Sequence, residues 1–469
     1  MYQPRQILAY GTLSVFILFV LFYGVTDSVL HNMRVAIPEP TISTLPDLSH
    51  YEPLKVLAPD DFPLDDSTRR IIIVGDIHGM MKPFEELLKR VEYSPREDVL
   101  IHVGDIITKG PHTGSLAVLD YMATHNVTGV RGNHDQQVIE WRGWLDWISS
   151  ISGGKAWLKR LERRWEKVQE EHKDFNSVSW VETEGAACSR VDKEWCRRIP
   201  KGWVLFSDHH KIAKDMSESQ FRYLLRLPLR LYIPSAHAYV VHAGLLSSDP
   251  RYSAEDVKKQ PLAHVPSLPQ RPTVHETGGD GVKSNETVES LRNLQEISLL
   301  TQIPQNTDPW VVLNMRSIVG RKISRKSKGG VPWTEIWNQH MNSCLGFNQT
   351  LANDATGHAD VSTTGGNMHK LHLSCYPSTT IYGHAASRGL VVKRWSFGLD
   401  SGCVYRRKLS ALVIGKSSKA SWNQGGEIEG SNNTVTDDDG DVDISMQKNY
   451  ESLPFGDRGV ASIIRVKCS

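Results

Sequence analysis

Five β-branched apolar runs in this chain end at a glycine or a polar residue and lead directly into acids, histidines or an asparagine. They are IIIVGDIHG (71–79), IHVGDIITKG (101–110), VTGVRGNHD (127–135), AYVVHAGL (238–245) and TTIYGHA (379–385). A short apolar run closed by a turn residue marks a buried strand emptying into a loop. Between the first three runs, apolar residues recur at helical spacing over about 81–91 and 114–124. The pattern predicts strand 71–75, helix, strand 98–103, helix, strand 127–131. This is a βαβαβ unit whose sheet is at least partly parallel, with right-handed crossovers. The polar residues then converge on one sheet edge, where open α/β sheets keep their ligands.

From Gln136 to about Arg230 the chain is rich in Trp and charge, carrying WRGWLDW, LKRLERRWEKV and SQFRYLLRLPL. Spacings of three and four predict helices capping the site, with the tryptophans as core. Residues 250–305 lack periodicity and are expected to be an insertion loop; 342–370 form a second irregular stretch. Strands return at about 379–383, 389–397 and 403–413, so residues 68–414 are expected to form one catalytic domain with insertions near 136–230, 250–305 and 342–370. Residues 415–450 are Ser, Gly, Asn and Asp with few apolar side chains, and the tail 415–469 is expected to be largely disordered. Its DDDGDVD run (437–443) looks like a calcium loop. Counting from Gly440 as the turn glycine puts Val435 and Met446 at the first and last ligand positions, so an EF-hand fails.

At the other end, a short tail (1–6) precedes ILAYGTLSVFILFVLFYGV (7–25), which contains no charge. At about 1.5 Å per residue this run reaches roughly 28 Å, close to the hydrocarbon thickness of a bilayer. It is read as a single uncleaved transmembrane helix rather than a signal peptide, whose apolar region is shorter and ends at a small-residue cleavage site. Arg5 and Arg34 flank it evenly and barely orient it. Residues 26–67 are expected to be a Pro-rich extended stalk. Sequons at Asn126, Asn285, Asn348 and Asn432, with six cysteines of which Cys188 and Cys196 are close in sequence, point to a luminal catalytic domain. Cys403, inside a strand-like run, is read as a reduced core cysteine. The net charge of +1 over 469 residues predicts no nucleic-acid partner, so anion binding must be local.

The donors collected by the five runs are Asp76, His78, Asp105, Asn133, His242 and His384, all oxygen or imidazole. Such a set suits two divalent ions of the Zn, Mn, Fe or Co kind. Asp76 and His78 can share one ion, Asp105 opens the adjacent loop and is the natural bridge, and Asn133, His242 and His384 complete the second ion. Two ions held about 3.5–4 Å apart clamp both oxygens of a displacement at phosphorus and acidify the attacking water. His134 is then a candidate general acid, and Lys109, Arg131, Arg316 and Arg388 are candidates for holding phosphate oxygens. The remaining histidines, His209 and His210 among them, lack such a context and are read as surface or core.

The blocks GDIHG, GDIITKG, GNHD, VVHAGL and YGHA resemble the calcineurin-like metallophosphoesterases, in the branch shared with phosphoprotein phosphatases, over roughly residues 70–413. The resemblance implies a four-layer αββα sandwich of α/β class (α+β in some schemes). It also implies Asp76, His78 and Asp105 on one metal, Asp105, Asn133, His242 and His384 on the other, and His134 as the acid. LDSGCVYRRKLSAL (399–412) resembles the closing strands of the bacterial and diadenosine tetraphosphatase-like members. Protein phosphatases carry GDxVDRG, whose second Asp orients the catalytic His and whose Arg grips phosphate. Here those places hold Thr108 and Lys109, and the closing Glu of GNHE is Asp135. With its apolar N-terminal run and Thr-Lys-Gly second block, the chain is most similar to the fungal vacuolar endopolyphosphatases of this superfamily.

The resulting expectation is a vacuolar, lumen-facing, single-pass polyphosphatase that cuts phosphoanhydride bonds within a polyanionic chain. The basic run RKISRKSKGG (321–330) would serve as its substrate track. Ser/Thr phosphoprotein phosphatase, dinucleoside polyphosphate hydrolase and a catalytically silent membrane-tethered binding protein are the alternatives.

Overall fold

The computed structural model describes residues 47–171, 192–267, 280–347, 371–415 and 452–469. In chain order the strands among them are β1 (Lys55–Val56), β2 (Arg70–Val74), β3 (Asp98–His102), β4 (Thr128–Gly129), β5 (Arg230–Ile233), β6 (Ala238–Val241), β7 (Ser317–Val319), β8 (Lys322–Ser324), β9 (Val331–Pro332), β10 (Thr379–Tyr382), β11 (Val391–Lys393), β12 (Ser396–Gly398), β13 (Lys408–Ile414), β14 (Leu453–Phe455) and β15 (Gly459–Lys467). They build two six-stranded mixed sheets, β14-β15-β13-β2-β3-β4 and β1-β5-β6-β10-β12-β11, and a small sheet β8-β7-β9. The strands carrying the predicted donors run parallel, β2 with β3 and β3 with β4 in one sheet, and β6 with β10 in the other.

Alternation along the strands explains the layering, because successive side chains point to opposite faces. In β2, Ile71 and Ile73 join Leu231, Ile233, Val240, Ile381 and Phe397 in a core between the two sheets. Ile72 and Val74 point the other way and pack under helices with Phe84, Leu87, Val118, Trp141 and Trp144. Across the second sheet, Tyr232, Tyr239 and Val241 pack against Leu299, Leu300, Trp333 and Trp337. The order is helices, sheet, sheet, helices, the expected α/β architecture. The helices Met81–Arg90 and His112–Thr124 form where apolar spacing predicts them, and Asn133–Ser150 and Gly154–Glu171 begin the Trp-rich cap. Of its tryptophans among the described residues, Trp141, Trp144 and Trp157 are fully buried core, whereas Trp147, Trp195 and Trp203 are half-buried.

Four expectations are corrected. Residues 48–67 are part of the domain rather than a stalk: β1 pairs with β5, and Leu57 and Phe62 are buried. The expected loop 250–305 contains the helix Asp280–Thr301, whose Leu299 and Leu300 close the outer core of the second sheet. The expected disordered tail contains an ordered strand at its end, since β15 pairs with β13 along Lys408–Ile414. The apolar residues Ala461, Ile463 and Val466 stabilise that pairing by burial on both faces of the sheet. Cys403 is not reduced; it is bonded to Cys468, and a second disulfide joins Cys344 to Cys375. Cys196 is also disulfide-bonded, while Cys188 lies outside the described residues. So do the apolar run 7–25 and the acidic run 437–443. Among the described residues no helix is long and apolar enough to cross a membrane.

Candidate active site

Each predicted donor sits just beyond the carboxyl end of its strand: Asp76 and His78 after β2, Asp105 after β3, Asn133 after β4, His242 after β6 and His384 after β10. Parallel pairing within each sheet brings these ends together. Asp76, His78 and Asp105 form one buried group whose ligand atoms lie within 4.8 Å of one another, and Asp105, His242 and His384 form a second. Asp105 belongs to both, the position expected of a bridge. Its Oδ2 lies 3.7 Å from His78 Nε2 and 3.4 Å from His242 Nε2, and its Oδ1 accepts the backbone N–H of His134 at 2.9 Å. Asn133 Oδ1 is 3.1 Å from His242 Nε2.

The imidazoles are oriented from behind by backbone carbonyls. Nδ1 of His242 is 2.9 Å from the carbonyl of Val103, and Nδ1 of His78 is 3.3 Å from that of Ile107. A second carbonyl contact of this kind fixes which ring nitrogen is left for a metal. The loops are sharply turned: His78, Asp105, Thr108, Lys109 and His384 all hold positive φ. Left-handed non-glycine residues concentrated at one site are a store of local strain that the surrounding structure must hold in place. Two glycines make the close approach possible. A Cβ at Gly383 would lie 2.0 Å from Asp76 Oδ1, and one at Gly132 would lie 2.1 Å from Asp105 Oδ1.

The charges are frustrated in a way that points to a cation. Burial, then the neighbouring Asp400 and Asp105, pushes Asp76 well above the usual carboxylate range. Burial would raise Asp105 too, but His242, His134 and His78 around it outweigh burial and hold it well below that range. Burial alone would lower His242, yet Asp105 carries it upward. His78 is pulled down to about 4 and His384 well below the imidazole range, in both cases chiefly by burial. Two buried carboxylates, one amide oxygen and three imidazoles form a donor set that divalent ions fit, with Asp76, His78 and Asp105 for one and Asp105, Asn133, His242 and His384 for the other.

The site opens into a pocket of about 280 Å³ lined by Asp76, His78, Asp105, His384 and Asp400 with Lys109, Arg316, Tyr405 and Arg407. Two of the four predicted phosphate-holding cations therefore face it, Lys109 and Arg316. Nε and Nη2 of Arg316 donate to the carbonyl of His384 at 3.3 and 2.9 Å, so it also braces a donor loop. Arg388 does not line the pocket; it donates to the Arg316 carbonyl, Ser317 Oγ and the Ser327 carbonyl and braces Arg316 from outside. Arg131 is a correction. Its buried guanidinium donates to the carbonyls of His50, Leu224 and Leu225 and to Gln136 Oε1, pointing away from the pocket because the acceptors lie there.

Sequence reasoning missed several residues. Asp400 follows β12, which lies parallel beside β10, so it obeys the same strand-end rule as the donors. Asp135 accepts the N–H groups of Gly132, Asp105 and Ile106, clipping the second loop to the third. His209, read from sequence as surface or core, lies with Nε2 2.8 Å from Nδ1 of His134. Burial lowers both of these histidines to about 4.

Comparison with known proteins agrees with this geometry. Residues 69–243 match the family described as calcineurin-like phosphoesterase. Serine/threonine-protein phosphatase 1 of Salmonella typhimurium is 34% identical over 93 residues, covering 20% of this chain and 42% of that protein. The symmetrical bis(5'-nucleosyl)-tetraphosphatase of Chromobacterium violaceum is 38% identical over 71 residues, covering 15% of this chain and 25% of that protein. The chain thus spans less than half the length of these curated relatives. A crystal structure assigned as a diadenosine tetraphosphatase is 21% identical, covering 77% of this chain and 94% of that one, with a TM-score of 0.37. Taken with the donor set at the strand ends, the match over residues 69–243 means that the chain contains a calcineurin-like metallophosphoesterase domain.

Proposed function

We propose that this chain is a divalent-metal-dependent phosphohydrolase that cleaves phosphoanhydride bonds within inorganic polyphosphate. The observation that carries the hydrolase reading is the sharing of Asp105 between two buried donor groups at the floor of an open pocket. When bound there, two divalent ions would supply an acidified water and neutralise charge on the phosphoryl oxygens. The protein's own part is then to hold and orient. Lys109 and Arg316 face the pocket and can bind the non-reacting oxygens of the substrate, Lys109 as a point charge and Arg316 as a fork. His134 stands beside the donors and can give a proton to the departing oxygen.

The polyphosphate reading rests on what surrounds the mouth. Ser327 lines the pocket, and the carbonyl of Arg325 accepts from Arg316 Nη1 at 2.9 Å. The run 321–330 therefore meets the pocket at Arg325 and Ser327, and its Arg321, Lys322, Arg325, Lys326 and Lys328 are exposed. Exposed cations in a segment that reaches a phosphate site suit an extended polyanion more than a single phosphoryl group. A second reading, hydrolysis of dinucleoside polyphosphates, is favoured by the match to the symmetrical bis(5'-nucleosyl)-tetraphosphatase. Membrane attachment through residues 7–25, with the domain in the lumen of the vacuole or another endomembrane compartment, is part of the proposal. The disulfides Cys344–Cys375 and Cys403–Cys468 support an oxidising lumen.

The test is to strip the full chain of metal, restore Zn, Mn, Mg or Co, and supply long-chain polyphosphate, phosphopeptide or diadenosine tetraphosphate. A ladder of shortened chains is expected from polyphosphate. Turnover of the dinucleotide or the phosphopeptide alone would transfer the substrate assignment, and no turnover of any of them would end the hydrolase reading.

A further inference from the structure

We propose that His209 is the positioning residue of the proton donor: it fixes the imidazole of His134 by a direct bond between ring nitrogens, in the role that a carboxylate would otherwise fill. The inference rests on the phosphohydrolase reading. Nδ1 of His134 lies 2.8 Å from Nε2 of His209, and the two rings lie end to end and nearly coplanar, their centroids 5.1 Å apart with an interplanar angle of 20°. The ring of His78 meets His134 edge-on at 5.4 Å. His134 is thus held in plane by one imidazole and against its side by another. With Nδ1 committed, Nε2 is the ring nitrogen left for a leaving oxygen.

The nearby carboxylates are otherwise engaged. Asp105 takes the backbone N–H of His134, not its ring, and Asp135 takes the backbone N–H groups of Gly132, Asp105 and Ile106. Thr108 contributes nothing to the ring: its N–H donates to Ser115 Oγ at 3.1 Å, and its buried hydroxyl has no hydrogen-bond partner. His209 comes instead from the first turn of the helix Asp208–Asp215. That helix is anchored at three points. His210 packs on Trp141 and Phe206, Ile212 and Ala213 are buried, and Asp215 pairs with His112 at 2.9 Å. The partner of His134 therefore stands on a fixed element rather than a loop.

An N···N bond holds one proton. To give a proton from Nε2 to the leaving oxygen, His134 must first carry a proton on each ring nitrogen; it keeps the one on Nδ1 and ends neutral, so His209 accepts at Nε2 and carries its own proton on Nδ1. Proton count is conserved: the leaving oxygen gains what Nε2 loses. Such a partner selects the ring's tautomer and orientation as a carboxylate would, but adds no negative charge beside Asp105 and the substrate.

The test uses the metal-loaded full chain, with His209→Ala, His209→Gln, His134→Asn and the double variant His134→Asn/His209→Ala, on phosphate esters graded by leaving-group basicity. General acid catalysis is worth about 10²–10⁴-fold. His209→Ala should therefore lower kcat by about 30- to 100-fold for an alkyl phosphate and less than about 3-fold for nitrophenyl phosphate, with KM unchanged. Gln, whose amide reaches the position of Nε2, should recover most of the loss. The double variant should be no slower than His134→Asn alone, because residues that act as a unit are not additive. An equal loss for all leaving groups, or a double variant slower by the product of the two single effects, would overturn the proposal even with unchanged melting. In wild-type protein carrying ¹⁵N-labelled histidine, the His134 Nδ1 signal should shift on His209→Ala without any turnover. An unmoved signal also overturns the proposal. Inactivity of the wild type on every phosphate would instead sink the underlying hydrolase reading.

Discussion

Replacing Arg131 by Met separates a structural role from a substrate-binding one. Burial pulls the Arg131 guanidinium down to about 10, and its acceptors lie on the side away from the pocket. Met keeps the stem and offers no donor, so four acceptors lose a partner. His50 is exposed, and water can replace the guanidinium at its carbonyl. The Leu224 carbonyl keeps the N–H of Leu227 at 3.2 Å, whereas Gln136 keeps only the bond that its Nε2 donates to Glu140, and its Oε1 is left without a donor. The Leu225 carbonyl and Gln136 Oε1 carry the largest shares, about 1–1.5 kcal/mol each as buried acceptors left unsatisfied, and Leu224 adds about 0.5 kcal/mol. The expected loss is about 3 kcal/mol, or roughly 6 °C in Tm at about 2 °C per kcal/mol for a domain of this size. The assay is thermal unfolding with disulfides intact, followed by kcat and KM on the folded fraction, both expected within about twofold of wild type. An unchanged Tm with a raised KM would return Arg131 to the substrate and refute the reasoning.

Two further outcomes follow from the same geometry. Asp105→Asn preserves an acceptor for the His134 N–H but removes the charge shared by both donor groups. It should lower kcat/KM by more than about 10³-fold with the fold intact and leave less than two equivalents of metal bound by elemental analysis; a variant with normal turnover would exclude a bridging role. Acid should destabilise the fold through two buried histidines outside the donor groups: burial holds His210 at about 3 and His340 at about 4, against 6.5 for the free side chain. A histidine lowered in the folded state binds its proton first in the unfolded chain, so stability is full above pH 6.5 and falls as pH drops from there towards 4. At pH 5 each contributes a loss of about 2 kcal/mol. Urea midpoints should fall across that window and fall less in His340→Asn, and an equal slope in both proteins would contradict the assignment.

The donors were legible in the sequence because each follows its strand directly, so a one-dimensional pattern already encodes their place at the sheet edge. Asp400 obeys the same rule but was hidden: 389–397 reads as one strand, whereas the chain folds it as the short hairpin β11 and β12. Strands of three residues leave too little periodicity to reveal the turn between them. Arg131 fails for a different reason. Residues 131–133 lie within one turn of chain, and whether a side chain points to the pocket or the helix layer depends on acceptors from residues 50, 136, 224 and 225. In β15 the apolar residues were present, but the polar low-complexity stretch before them dominated the reading, whereas the helix Asp280–Thr301 has almost no one-sided apolar face, so no helical periodicity marked it. His209 carries no local signal at all, since its meaning arises from a contact across 75 residues.

Thr108 and His209 are best understood as one change rather than two. A carboxylate that orients His134 would add a fourth negative group to a pocket already walled by Asp76, Asp105 and Asp400. At an effective dielectric of about 20, a unit charge about 5 Å from a phosphoryl oxygen costs about 3 kcal/mol of repulsion. For a single phosphoryl group that cost is met once. An internal unit of a polyanion carries charged neighbours on both sides, so the same carboxylate would act on several phosphates together. A neutral imidazole avoids the repulsion while still fixing the proton donor. On the proposed polyphosphate reading, Lys109 and the exposed cations of residues 321–328 would then act on a substrate whose charge is opposed by no carboxylate beyond Asp76, Asp105 and Asp400. On that reading the departures from the protein-phosphatase pattern act together, each suiting a longer and more highly charged substrate.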